Sequence, residues 1–288
     1  SNTIYGGTHA LMEEVLPEMG IQTTFVNPED TEGFEAAIRP DSKMLYAESL
    51  GNPTLTVANI PALAAIAQKH QIRLMIDNTF ATPYLQQPFG FGADFIMHST
   101  TKFLNGHGTA IGGVLIGTDL EFMKTTATKK HRLLGANSNP FDAFLLIQGM
   151  KTLEVRMERH GHNTMEVANY LDGHPAVAKV NYTGLHHHPH QAIALKQMRH
   201  PGAMLSFELK KGLEGGMEFL NRLQMCVRAV SLGTCDTLLS HPASTTHVGV
   251  LREERMKYGI TDGLIRMSVG MESIQDILQD LEQALATQ

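Results

Sequence analysis

The chain has 288 residues, a formal net charge of -6, and 42% hydrophobic against 18% charged residues. That balance is too apolar for a disordered chain and offers no basic stripe to nucleic acid, which leaves a globular protein of enzyme size. Two cysteines, Cys226 and Cys235, have neither CxxC nor metal-ligand spacing, which excludes a disulfide framework and a zinc site and fits a reducing, cytoplasmic compartment. No apolar run reaches the roughly 18 residues of a spanning helix, and no cleavable leader is visible, so no membrane partner is expected. The opening SNTIYGGT reads as the middle of a domain, and a preceding N-terminal piece is expected.

From residue 43, the segments KMLYAESL, PALAAIAQKHQ, IRLMIDNTF and ADFIMHS alternate short apolar runs with a helical stretch. The alternation predicts parallel strands joined by crossovers, an open α/β sheet in the first half. AIGGVLIG predicts another buried strand. The glycines of GHGTAIGG (Gly106, Gly108, Gly112, Gly113) lack the GxGxxG spacing and predict a tight turn. Residues 141 to 172 hold a long helical pattern with weak points at Gly149 and Gly161. This reads as a connector from a large domain over 1–150 into a smaller α+β or α/β domain over 151–288. There AVAKVNY, GAMLSFEL and GLIRMSVG read as strands. SIQDILQDLEQALA places Ile274, Ile277, Leu278, Leu281 and Leu285 on one helical face behind a Ser273 N-cap. HHHPH (His186, His187, His188, His190) reads as a polar surface loop and not as a metal site, because no carboxylate or cysteine completes a ligand set.

The chemistry gathers at predicted strand ends. In open α/β sheets ligands bind beyond the carboxyl ends of the strands, and Asp77 closes RLMI while Ser99, Thr101 and Lys102 follow ADFIM. A lysine there can form a Schiff base with an aldehyde cofactor if its pKa is depressed. The flanking hydroxyls suit a phosphate, and a carboxylate aimed at a pyridine nitrogen would keep it protonated. Each residue alone has a plainer reading, Lys102 as a solvated surface charge and Asp77 as a helix cap.

Taken together, HSTTKFLNGHG, DNTFATPYLQ, ESLGNPT, IYGGT, VSLGTCDTLLSHPASTTH and GLIRMSVG resemble the Cys/Met-metabolism enzymes dependent on pyridoxal phosphate (PLP). The resemblance covers the whole chain. It implies the fold-type I, aminotransferase-like α/β architecture with a smaller C-terminal domain, PLP as cofactor, and a homotetramer built as a dimer of catalytic dimers. It also implies that Lys102 is the Schiff-base lysine, Asp77 the partner of the ring nitrogen, and Ser99 and Thr101 phosphate ligands. Tyr5 matches the tyrosine that stacks on the ring and protonates the leaving sulfur. Asn52 matches an asparagine near the cofactor's phenolic oxygen and the substrate carboxylate. Arg266 matches the arginine that clamps that carboxylate, with Ser231 beside it. Glu48 opens the ExxxN stretch without an assigned role.

Within the family, REERMKYGITDGLIRMSVG and HPASTTH are most similar to methionine γ-lyase. Val230 stands where cystathionine-handling members have a glutamate, which disfavours cystathionine. Gly7, however, stands where strict methionine γ-lyases have a cysteine, and HRLLG at 131–135 replaces their lysine-aspartate pair. The expectation is a C–S lyase acting on a small sulfur amino acid by γ-elimination. The alternatives are an O-acetyl- or O-succinylhomoserine sulfhydrylase that takes the homoserine ester, or another γ-replacement transsulfuration enzyme, and a non-catalytic fragment lacking the N-terminal segment that the family lends to a neighbouring site.

Overall fold

Two five-residue runs with the same burial rhythm begin the first sheet. Strands β1 (Met44–Glu48) and β2 (Arg73–Asp77) each start on an exposed residue and end on a buried carboxylate, in the computed structural model, which describes residues 1–246, 248 and 251–286. They pair in parallel with Glu48 opposite Asp77, and β2 pairs in parallel with β3 (Phe95–Ser99). The crossover helix α1 (Ile60–Lys69) starts where the Asn59 side chain accepts the Ala62 N–H at 3.4 Å, with Pro61 in its first turn. Its buried Ile60, Leu63, Ile66 and Ala67 pack on Leu45, Ala47, Leu74 and Ile76 of the sheet.

The next strand departs from expectation. β4 (Gly113–Gly117) runs antiparallel to β3 and closes the order β1-β2-β3-β4. Its Val114, Leu115 and Ile116 are 37%, 40% and 40% exposed, where a buried strand was expected. As the edge strand it pairs on one side only.

The long helical stretch is two helices, α2 (Pro140–Met150) and α3 (Leu153–Asp172). The break falls just after Gly149, whose missing side chain lets α2 rest on the Asn105 backbone. Gly161 breaks nothing. It sits inside α3, where a Cβ would meet the His200 ring at 2.6 Å.

Beyond α3 a second sheet has the order β5-β6-β9-β8-β7, from β5 (Val177–Asn181), β6 (Met204–Leu209), β7 (Val227–Arg228), β8 (Leu238–Ser240) and β9 (Leu264–Ser268). It is antiparallel except for β7 with β8. Helices α4 (Gln191–Gln197), α5 (Gly212–Arg222) and α6 (Ile274–Leu285) complete this half. On α6, Ile277, Leu281 and Leu285 are buried and Ile274 and Leu278 pack against the same core, as the periodicity predicts. Ser273 holds the N-cap position, but its hydroxyl bonds Gln275 Oε1, so the capping bond is absent.

One apolar cluster joins the two sheets, drawing Leu50, Leu55, Phe80 and Phe103 from the first half and Met157, Leu205, Phe207 and Met267 from the second. Polar ties reinforce it. Gln197 of α4 accepts the Ile60 N–H at 2.9 Å and donates to the Ala58 carbonyl at 3.0 Å. The histidine loop is not all surface. His186 and His187 are exposed, whereas His188 is buried, and His190 Nδ1 accepts the Val57 N–H at 3.0 Å while Nε2 meets Glu29. Among the described residues, no helix is long and apolar enough to cross a membrane, and no three His, Cys, Asp or Glu groups are placed to hold a metal.

Candidate active site

At the end of β3 the chain makes one wide helical turn, Thr100–Leu104, in which Lys102 departs from helical geometry (φ -88, ψ -137). Buried Phe103 and Leu104 anchor the turn. Arg156 of α3 pins it from behind, donating to the Phe103 carbonyl at 2.7 Å, the Gly149 carbonyl at 2.8 Å and Thr152 Oγ1 at 3.1 Å. With its apolar neighbours fixed, Lys102 reaches forward, and its Nζ donates to Ser231 Oγ at 3.0 Å. The segment carrying Ser231 can approach so closely because Gly233 has φ +77 and no side chain. A Cβ there would lie 2.7 Å from the Phe103 backbone nitrogen. Ser268 Oγ of β9 accepts the Gly233 N–H at 2.9 Å and holds the approach in place.

Lys102 is half-buried, and two further charges at the sheet ends, Asp77 and Arg266, are buried. Burial, followed by the charge of Arg266, pulls the Lys102 amine below its usual range. Burial pushes the Asp77 carboxyl up, against opposing hydrogen bonds from Thr79 and Tyr46. Thr79 N–H donates to Asp77 Oδ1 at 2.9 Å and the Tyr46 hydroxyl to Oδ2 at 3.4 Å. Burial lowers the Arg266 guanidinium to about 10. Arg266 donates to Asn52 Oδ1 at 3.2 Å, the Val230 carbonyl at 2.7 Å and the Ser231 carbonyl at 3.1 Å. All three acceptors are neutral. Among the described residues Asp77 has no cation partner and Arg266 no carboxylate partner.

The remaining sequence candidates lie around this cluster. Tyr5 is 58% exposed, its backbone N–H donates to Glu48 Oε1 at 2.6 Å, and its hydroxyl lies close enough to Arg266 to interact electrostatically. A Cβ at Gly7 would stand 2.6 Å from Tyr5 Cε1, so any side chain at position 7 displaces that ring. Ser99 and Thr101 bracket the start of the lysine turn. The Thr101 hydroxyl accepts the Gly112 N–H at 3.0 Å, and the Ser99 N–H donates to Thr79 Oγ1 at 2.8 Å. Val230 borders a cavity of about 430 Å³, but that cavity opens against Met217 and Leu220 of α5 and includes neither Lys102 nor Arg266. Tyr46 and Thr79 were missed by sequence reasoning. The signal was the period of two, which sets Tyr46, Glu48 and Asp77 on one face of the sheet.

Residues 1–286 match the model of the Cys/Met metabolism PLP-dependent enzymes. The chain belongs to that family. It is 45% identical to an L-methionine gamma-lyase of Porphyromonas gingivalis over 98% of its own length and 71% of the relative's. It is 43% identical to a cystathionine beta-lyase of Coxiella burnetii, covering 98% of this chain and 73% of that one. The structure of a cystathionine gamma-lyase from Lactobacillus plantarum complexed with L-serine superposes with a TM-score of 0.95 at 40% identity, covering 99% of this chain and 74% of that one. The two-sheet architecture is therefore that of a fold-type I α/β enzyme, and the cofactor is PLP. The residues present fit that group. Asp77 is a buried carboxylate without a cation among the described residues, the counterpart that a protonated pyridine nitrogen requires, and Lys102 is an amine whose pKa burial and Arg266 lower.

Proposed function

We propose that this enzyme is a C–S lyase that cleaves sulfur amino acids by γ-elimination, converting L-methionine and water to methanethiol, 2-oxobutanoate and ammonia. The observation that carries the reading is that, among the described residues, two buried and oppositely charged groups have no partner of opposite sign, Asp77 at the end of β2 and Arg266 bonded to the Ser231 carbonyl next to Lys102. Burying such charges is costly unless a ligand completes them. A zwitterionic cofactor and an amino-acid substrate would complete both.

PLP, when bound, supplies a protonated ring that withdraws electrons from the substrate's Cα. Lys102 would hold it covalently, Asp77 would face the ring nitrogen, and Ser99 and Thr101 would meet the phosphate. Arg266 would take the α-carboxylate on its fork, with Asn52 and the Val230 and Ser231 carbonyls fixing the plane of the guanidinium. The Lys102 amine, when uncharged and free, would accept the Cα proton and carry protons to and from Cβ. Ser231 Oγ, 3.0 Å from Nζ, keeps it directed into the crevice. The Tyr5 hydroxyl would deliver a proton to the departing sulfur. The whole protein would work as a tetramer, with a large domain over 1–150 and a connecting helix and smaller domain over 151–288.

A second reading, replacement of a homoserine ester's acyloxy group, which leaves as the carboxylate, by sulfide at Cγ, uses the same residues and is favoured by Gly7, which leaves room beside the Tyr5 ring. Full-length enzyme given L-methionine alone, against O-acetyl- or O-succinylhomoserine plus sulfide, separates the two. Methanethiol and 2-oxobutanoate from methionine alone are expected. Turnover of the ester-sulfide pair alone, giving homocysteine without ketoacid, would replace the lyase with a sulfhydrylase.

A further inference from the structure

Glu48 is the buried group of the strand-end crevice to which the proposed reaction gives no task. It closes β1 directly opposite Asp77 and is 7% exposed. Two buried acids side by side are unfavourable. Burial, then the neighbouring Asp77, pushes the Glu48 carboxyl well above the usual carboxylate range, and the Tyr5 N–H partly opposes this. What the arrangement provides is a fixed point for a residue that is otherwise loosely held. The Tyr5 ring is 58% exposed and stands at the start of a five-residue helix, Gly6–Ala10, that has no side-chain cap. Ile4 beside it is buried, and the Tyr5 N–H is spent on Glu48 Oε1 at 2.6 Å.

We propose that Glu48 is the positioning residue for Tyr5: its carboxyl group, anchored at the end of β1, accepts the Tyr5 N–H and fixes the backbone from which the ring reaches the Lys102–Arg266 crevice. The inference rests on the role given to Tyr5 above. The bond asks only for a carbonyl-type oxygen at the Glu48 side chain, whose Oε1 stands 2.6 Å from the Tyr5 nitrogen. The neutral amide of Glu48→Gln keeps the acceptor, whereas Glu48→Ala and Glu48→Leu remove it.

The test uses the full-length, PLP-loaded enzyme and follows amide hydrogen exchange at Tyr5 together with the visible circular dichroism of the bound cofactor. Glu48→Ala is expected to speed Tyr5 exchange about fivefold or more, the scale of one hydrogen bond to a buried acceptor, and to weaken the dichroic band. Glu48→Gln is expected to match the wild type in both. Unchanged Tyr5 exchange in Glu48→Ala, or a Glu48→Gln enzyme as loosened as Glu48→Ala, overturns the proposal. Glu48→Leu takes the place of Glu48→Ala if the smaller residue does not fold. Tyr5→Phe isolates the underlying reading: full turnover there removes Tyr5 from the chemistry, while the exchange result still decides whether Glu48 anchors it.

Discussion

Arg266 is a guanidinium withdrawn from water and given three neutral oxygens as partners, so it keeps its charge at neutral pH and has that charge to offer. A carboxylate placed on it is held equally in ground and transition states. Arg266→Ala should therefore raise KM for amino-acid substrates by about ten- to a hundredfold, ~1.4–2.8 kcal/mol, with a smaller change in kcat. Steady-state kinetics check this, and an unchanged KM would place the carboxylate elsewhere. At this scale the sequence was informative where a residue type is rare in its setting, as with Lys102 between hydroxyls and Asp77 at a strand end. It was mute on Tyr46 and Thr79, because a tyrosine and a threonine beside apolar residues read as ordinary packing until the register brings them to Asp77.

The elements bring the lysine turn within reach of the second sheet by removing side chains at the contacts. Gly149 lets α2 lie on Asn105, and Gly233, in the left-handed region, lets the 231–233 segment touch the Lys102–Phe103 backbone. Gly233→Ala meets both backbone strain and a Cβ 2.7 Å from the Phe103 nitrogen. It should lower stability by about 2–4 kcal/mol and move Ser231 off Lys102. Thermal unfolding and PLP affinity measure the two effects, and a variant as stable and as tightly loaded as the wild type would contradict this packing. Periodicity predicted β1 to β3, α1 and the buried face of α6 because each carries a repeat of two or 3.6. It misplaced β4, since a run such as GGVLIG has the same composition in a central strand as at an edge. Gly149 and Gly161 looked alike in sequence, yet one lies at a helix end and the other within a helix against His200.

At the scale of the molecule, the core that joins the two sheets also encloses titratable groups. His160 of α3 is fully buried, its Nδ1 bonded to the Val269 carbonyl at 2.7 Å, and burial holds its pKa at about 4 against 6.5. The unfolded chain thus binds a proton that the folded chain refuses between those values. This contribution is fully present above pH 6.5 and is lost as pH falls toward 4. Its full extent is up to about 3 kcal/mol. Relative to a His160→Gln variant, the wild type should lose stability as pH falls through this window, read as a narrowing gap in Tm. A gap that stays constant would contradict a neutral buried His160. The two-sheet organisation was legible in outline from the strand runs, but the ties that close it were not. Gln197 to Ile60 and His190 to Val57 join residues more than a hundred positions apart, and no local pattern announces them. The proposed chemistry turns on Lys102, and borohydride reduction of the full-length, PLP-loaded enzyme followed by peptide mapping tests that role most directly. The pyridoxyl mass should fall on the peptide that contains Lys102. A label on another lysine, or none on any, would contradict the site.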